Sequence, residues 1–260
     1  MAVCVSCQKP LVVELQDSDS DEDVEMGESS SSAGVSSNTL PDDVHLNACG
    51  CHFHWQCLLD AYSLTDCPNC HTSLTNPTAS GGQAILCTLH NEGGIQQDLD
   101  ILPLLTEESY LKAYPEDRKC RAFMEFCREG DVEAIVGMLK DPDPSDIEDE
   151  EDGHPQKPMD EVLRYQDPVG DMQSGLHAAV QAGSREVAYL LLLVASELNL
   201  QQFPPEVFQE AAALGVMRED QTGKVDIRSL RDVNGRSAED LARELGGIWT
   251  GWPGRGWLVA

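Results

Sequence analysis

The stretch Cys49-Gly-Cys51-His-Phe-His54-Trp-Gln-Cys57, followed by Cys67-Pro-Asn-Cys70, decides how the first part of this chain folds. With Cys4-x2-Cys7 it places seven cysteines and one histidine in the first 70 residues, all at short spacings. A Cys-x2-Cys step lets two thiolates on one tight turn reach a single tetrahedral Zn²⁺. Eight ligands fill two such sites with none left over. The competing readings are disulfides of a secreted domain or buried free thiols. Met1-Ala-Val-Cys4 has no signal-peptide character, and a reducing compartment, cytoplasm or nucleus, is therefore expected, where such spacing binds metal. No apolar stretch reaches the ~18 to 20 residues of a membrane span; the longest, from Val187 to Ala195, is too short.

The ligand order resembles the RING finger family over residues 1–75. Cys49 to Cys57 looks like that family's central knuckle, and Cys67-Pro-Asn-Cys70 like its closing knuckle with the usual proline. The resemblance implies a cross-brace of two structural zinc ions. Cys4, Cys7, His54 and Cys57 hold one, and Cys49, Cys51, Cys67 and Cys70 hold the other. Cys51 stands where most members have histidine, and the 42-residue step from Cys7 to Cys49 is long. His52 is an alternative ligand for Cys51. The C4HC3 order also suits a PHD finger, whose usual spacing is wider than that from Cys51 to His54.

The formal net charge is −29, and two blocks carry most of it. Residues 14–43 hold ten acidic side chains and no Lys or Arg; residues 141–161 hold ten and one Lys. Such local acidity argues against nucleic-acid binding, since phosphates are repelled wherever these blocks reach. The first block is read as a disordered insertion over 15–44 inside the zinc module, and deleting residues 17–40 is expected to spare zinc content. Ser18 and Ser20, with acids downstream, resemble acid-directed kinase sites. The second block is read as a surface loop over 141–161.

In the second half, Gly130, Gly183, Gly215 and Gly246 each follow an apolar helix turn, the last three at steps of 32 and 31 residues. A period near ~33 with paired helices is similar to ankyrin repeats. Ser174-Gly-Leu-His-Ala-Ala-Val-Gln-Ala-Gly183-Ser-Arg-Glu-Val-Ala-Tyr-Leu-Leu-Leu192 looks like a complete helix pair, and Asp232 to Gly246 like the turn and first helix of a terminal unit. Gly130 to Leu139 resembles the second helix of an opening unit, and the unit after Gly215 turns polar too early. The resemblance implies degenerate repeats over 115–247, with His177 tying neighbouring turns by hydrogen bonds. Cys120 and Cys127 fall on one helical face as core thiols. An ordinary helical domain with chance periodicity is the alternative.

Residues 76–114 read as a linker, with Cys87-x2-His90 offering ligand spacing but no second pair. Residues 248–260, with Trp249, Trp252 and Trp257, are expected to fold back onto the last repeat. The expected fold class is thus mainly α, a small two-zinc cross-brace module plus an ankyrin-like helical stack. No nucleophile–base motif or phosphate loop appears, so no catalytic side chain is assigned. The RING resemblance implies an E3 ubiquitin ligase: the zinc module docks a ubiquitin-conjugating enzyme through Val5, Leu58, Tyr62, Pro68 and His71, and the stack binds a protein substrate or adaptor. The alternative is a non-catalytic zinc-binding scaffold. Ser6, where ligases often carry isoleucine or leucine, and His71, where they often carry a cation, favour that alternative.

Overall fold

A computed structural model of the protein describes residues 2–14, 39–61, 65–78, 81–140 and 157–260. The acidic run from Asp17 to Asp23, the serines Ser18 and Ser20, Tyr62, and the acidic block over 141–156 lie outside the described residues. The chain forms two compact units, Met1–Ser109 and Tyr110–Ala260. Among the described residues, no helix is long and apolar enough to cross a membrane.

The N-terminal unit is built on antiparallel strands. Val12–Glu14 (β1) pairs with Thr39–Pro41 (β2). Asp43–Leu46 (β3) turns through Cys49-Gly50-Cys51 into His52–Phe53 (β4), and Trp55–Ala61 (α1) follows. Thr75–Pro77 (β5) leads to the longest strand, Gln83–Asn91 (β6), which pairs with β3, with β5 and with Gly94–Asp100 (β7). β6 is the hub because its alternation buries Ile85 and Cys87 against Val44, Leu46, Phe53, Leu58 and Leu74. The Asp100 carboxylate accepts from the backbone N–H groups of Ile85 and Leu102, fixing the start of Leu102–Ala113 (α2), whose Leu105 joins the same core together with the preceding Ile101.

Three expectations change here. The chain is not mainly α: a five-stranded antiparallel sheet organises the first unit. The stretch 76–114 holds β6, β7 and α2. The insertion over 15–44 includes strand residues from Thr39 onward, and the loop over 141–161 runs into Met159–Leu163 (α5). Cys87 and His90 sit at odd spacing on one strand, Cys87 buried and His90 exposed, so they point to opposite faces and cannot share an ion.

Among the described residues, the second unit is helical apart from one two-residue strand pair. Arg118–Glu129 (α3) turns at Gly130 (φ 76°) into Val132–Lys140 (α4). Gln166–Asp167 (β8) and Gln173–Ser174 (β9) pair, and Gly175–Ala182 (α6) turns at Gly183 (φ 79°) into Arg185–Ala195 (α7). Both glycines end their helix left-handed, where a Cβ is disfavoured. Cys120, Phe123, Met124 and Cys127 form the buried face of α3, the i, i+3, i+4, i+7 stripe of an amphipathic helix. Gly175 lets α3 approach: a Cβ there would stand 2.7 Å from the Phe123 ring. The fully buried Asp167 carboxylate anchors the strand pair to α3 through ion pairs with Arg121 and Arg128.

Pro205–Ala213 (α8) and Ala238–Leu245 (α9) complete the unit, and their order breaks the expected repeat. α6 packs between α3 and α9, while α8 leans on α7. His177 makes the link to the last turn, its Nε2 donating to the Arg236 carbonyl at 3.0 Å while Nδ1 accepts from Ser174 Oγ at 2.7 Å. The tail folds onto the α6–α7 pair: Trp249 Nε1 donates to the Val180 carbonyl, Trp252 and Trp257 pack on Tyr189, and Arg228 donates to the Val259 carbonyl.

Two outcomes test this architecture. Glu14 and Thr39 stand opposite each other across β1 and β2, so a chain in which Asn-Gly, the preferred two-residue hairpin loop, replaces residues 15–38 is expected to keep the N-terminal unit's melting temperature. Deleting residues 17–40 removes two of the three residues of β2 and is expected to lower it. Burial holds the His177 imidazole below its ordinary pKa against the opposing pull of the Arg236 carbonyl. The unfolded chain then binds a proton that the folded one refuses, so the helical unit should lose stability as pH falls below ~6.5, by at most about 1.4 kcal/mol per pH unit. His177→Gln should lower the thermal midpoint at neutral pH and flatten this acid limb.

Candidate metal centre

The two Cys-x2-Cys steps fold into matching knuckles. In the first, Cys4 N–H donates to the Lys9 carbonyl and Gln8 N–H donates back to the Cys4 carbonyl, both at 2.9 Å. In the second, Cys67 N–H donates to the Thr72 carbonyl and His71 N–H to the Cys67 carbonyl, again at 2.9 Å. Each knuckle is closed by a single β-bridge, Val3 to Pro10 and Asp66 to Ser73. The residue after each second cysteine is left-handed, Gln8 at φ 61° and His71 at φ 59°, a conformation that costs a non-glycine residue roughly 1 kcal/mol. Cys49 and Cys51 lie in the β3–β4 turn, where Gly50 (φ 71°) donates to the Leu46 carbonyl at 2.8 Å. His54 and Cys57 come from the start of α1, whose first N–H, on Trp55, is capped by the Asp42 carboxylate at 3.0 Å.

These four pieces bring the eight side chains into two clusters, and the pairs interleave along the chain. Cys4, Cys7, His54 and Cys57 form one; Cys49, Cys51, Cys67 and Cys70 form the other, with the ligand atoms of each within 4.8 Å of one another. Each cluster can hold a metal ion. Cys51 Sγ and Cys70 Sγ are 3.8 Å apart, the separation of about 3.8 Å that two sulfurs adopt at ~2.3 Å from one tetrahedral ion. All ten cysteines are free, so no disulfide competes.

His54 is oriented for this role. Its Nδ1 lies 3.2 Å from Cys7 Sγ and 3.8 Å from Cys57 Sγ, while Nε2 donates to the Pro10 carbonyl at 2.7 Å. That bond places the ring proton on Nε2 and leaves Nδ1 a free lone pair facing the thiols. His52 is not a substitute ligand: its Nδ1 pairs with the Asp43 carboxylate at 2.8 Å and its ring stacks on His45 at 4.4 Å. Asn69 Nδ2 donates to Cys51 Sγ at 3.5 Å, and Thr72 Oγ1 lies 3.3 Å from Cys70 Sγ. Sequence reasoning missed Pro10, Asn69 and Thr72. Their signal is positional: each sits within three residues of a knuckle cysteine.

The thiols carry uneven acidities. Burial raises Cys4, but the backbone N–H groups of Cys7, His54 and Ser6 outweigh it and bring the thiol down to about 6. The Thr72 side chain and N–H lower Cys70 to about 6. Burial, reinforced by the thiols of Cys7 and Cys4, pushes Cys57 up to about 12. Burial also raises Cys49 and Cys67. One thiol in each cluster is thus lowered by hydrogen bonds while neighbours are raised, first by burial and then by the crowding of thiols. A bound divalent cation inverts this by neutralising several thiolates at once.

The residues expected to face a conjugating enzyme do not all share a surface. Val5 and Pro68 are half-buried and His71 is exposed. Leu58 is fully buried in the core of the unit and offers nothing to a partner. Tyr62 lies outside the described residues.

Compared with family models, curated proteins and solved structures, the chain matches none. The assignment of a metal centre therefore stands on donor geometry alone. Cobalt(II) titrated into metal-free protein is expected to give thiolate charge-transfer bands. Cys67→Ser should abolish the contribution of its own four-cysteine cluster, keep that of the cluster containing His54, and leave the melting of the helical unit unchanged.

Proposed function

We propose that the N-terminal unit is a RING-type module holding two structural zinc ions, and that the protein acts as an E3 ubiquitin ligase. The observation that carries this reading is the interleaving of the two ligand clusters. Four short segments pinned alternately to two ions make a rigid surface without any open coordination position. Such a module does no side-chain chemistry. It docks a ubiquitin-conjugating enzyme, and the helical unit, in which α3 and α6 each end at a left-handed glycine before a second helix, recruits the protein substrate or adaptor. Ten free cysteines suit the reducing cytoplasm or nucleus.

With Leu58 buried, docking falls to Val5, Pro68 and His71 among the described residues. A second reading, a zinc-stabilised scaffold without ligase activity, is favoured by that smaller patch and by Ser6 in place of an aliphatic residue. Transfer assays with purified full-length protein and a panel of conjugating enzymes separate the two. Wild type is expected to be weak, because the imidazole at position 71 has only two ring nitrogens where arginine offers five donors in a fixed fork and a permanent charge. His71→Arg should raise transfer several-fold at unchanged metal content, and Val5→Ala should lower it. Absence of transfer with both wild type and His71→Arg establishes the scaffold.

A further inference from the structure

The helical unit has an irregularity with a consequence for binding. α3 is followed by α4 and α6 by α7, each second helix covering the first. After α8 the chain turns at Gly215 (φ 68°) and no helix follows until α9, apart from one short helical turn at Ile227–Ser229. The α8 surface that a second helix would cover lies open. It forms a groove of about 580 Å³ against α7, lined by Leu193, Leu200, Phe208, Ala211, Ala212 and Met217. Phe208, Ala212 and Gly215 repeat at helical spacing along its wall, and Met217 is 84% exposed at its edge. Small residues on the wall and a flexible methionine at the rim suit a helical occupant.

Charge selects the occupant. Residues 197–220 carry five exposed carboxylates, on Glu197, Glu206, Glu210, Glu219 and Asp220, against one cation, Arg218. The Arg218 guanidinium is already engaged by the carbonyls of Leu193 (2.5 Å) and Leu192 (2.9 Å) in the last turn of α7 and of Leu198 (2.6 Å) just beyond it, so it offers little to an incoming anion.

We propose that the α7–α8 groove is a docking site for an amphipathic helix of a partner protein, with apolar side chains at i, i+3, i+4 and i+7 and Lys or Arg on its flanks. The partner helix takes the place of the missing second helix. The site is independent of ubiquitin transfer, and binding is read without a conjugating enzyme, so failure here leaves the ligase reading untouched.

Fluorescence anisotropy with full-length protein tests it. The probe is a capped peptide of about 18 residues, leucine at those spacings and lysine elsewhere, long enough to form a helix. A scrambled peptide of equal composition reports the general attraction of a chain with net charge −29; a glutamate-for-lysine version reports charge selection. The amphipathic cationic peptide should bind at least about tenfold tighter than either control. Ala212→Gln and Met217→Ser, both at exposed positions, should weaken it by about tenfold without moving the melting temperature. Equal binding of the scrambled or glutamate peptide, or unchanged affinity in both variants, overturns the proposal. So does a concentration-dependent dimer in sedimentation that Ala212→Gln abolishes, since the groove then seats a second copy.

Discussion

The N-terminal unit depends on bringing like-charged or neutral donor atoms together from distant parts of the chain. Cys7 and His54 are 47 residues apart in sequence yet 3.2 Å apart at their ligand atoms. Nothing in four thiols and imidazoles attracts them to one point; burial even pushes several thiols toward the neutral form. Each cluster could hold a metal ion; a divalent ion bound there would supply the attraction, and in small modules such binding energy is folding energy. The apolar core is modest, with Val44, Leu46, Phe53, Leu58, Leu74 and Ile85 among its fully buried side chains. A core of that size stabilises a small domain only marginally without a staple.

The other features of the unit follow from this constraint. The two knuckles hold Gln8 and His71 left-handed although neither is glycine, a strain that the closing bridges offset. The bond from His54 Nε2 to the Pro10 carbonyl sets the tautomer, so the residue just after the first knuckle decides whether the second ligand pair can serve the same ion. β6 then ties the ligand-bearing β3–β4 turn to the segment beyond the last cysteine, through β3 at one end and β5 at the other.

The ligand pairs were legible because metal spacing is local: two donors on one turn are visible in four residues. The strands were not. β6 alternates weakly, with Leu86 half-buried beside Ile85 and Cys87, and β7 reads Gly-Ile-Gln-Gln-Asp-Leu-Asp with almost no apolar face; such patterns look like a linker until the pairing of β6 with β3 and of β7 with β6 explains them. Leu58 was misplaced because its helical face went unread: Trp55, Leu58 and Leu59 stand at i, i+3 and i+4 on one side of α1, and that side packs on the core with Leu58 fully buried.

The helical unit shows the opposite limit, where a local signal was read correctly and its use was not. Gly130, Gly183 and Gly215 all adopt the same left-handed turn after an apolar helix, so each looks like the hinge of a helix pair. What separates Gly215 is downstream: Arg218 turns back to cap the α7 carbonyls, and Gln221 follows by donating to the Val194 carbonyl. Those bonds, with the one from Ser196 Oγ to the Leu192 carbonyl, satisfy the end of α7, and they hold residues 218–221 against α7 when a helix would carry them along α8. Stacking then passes from α6 straight to α9 through His177 and Arg236. The open groove beside α8 is thus the structural consequence of capping α7 with side chains from the segment that would have been the missing helix.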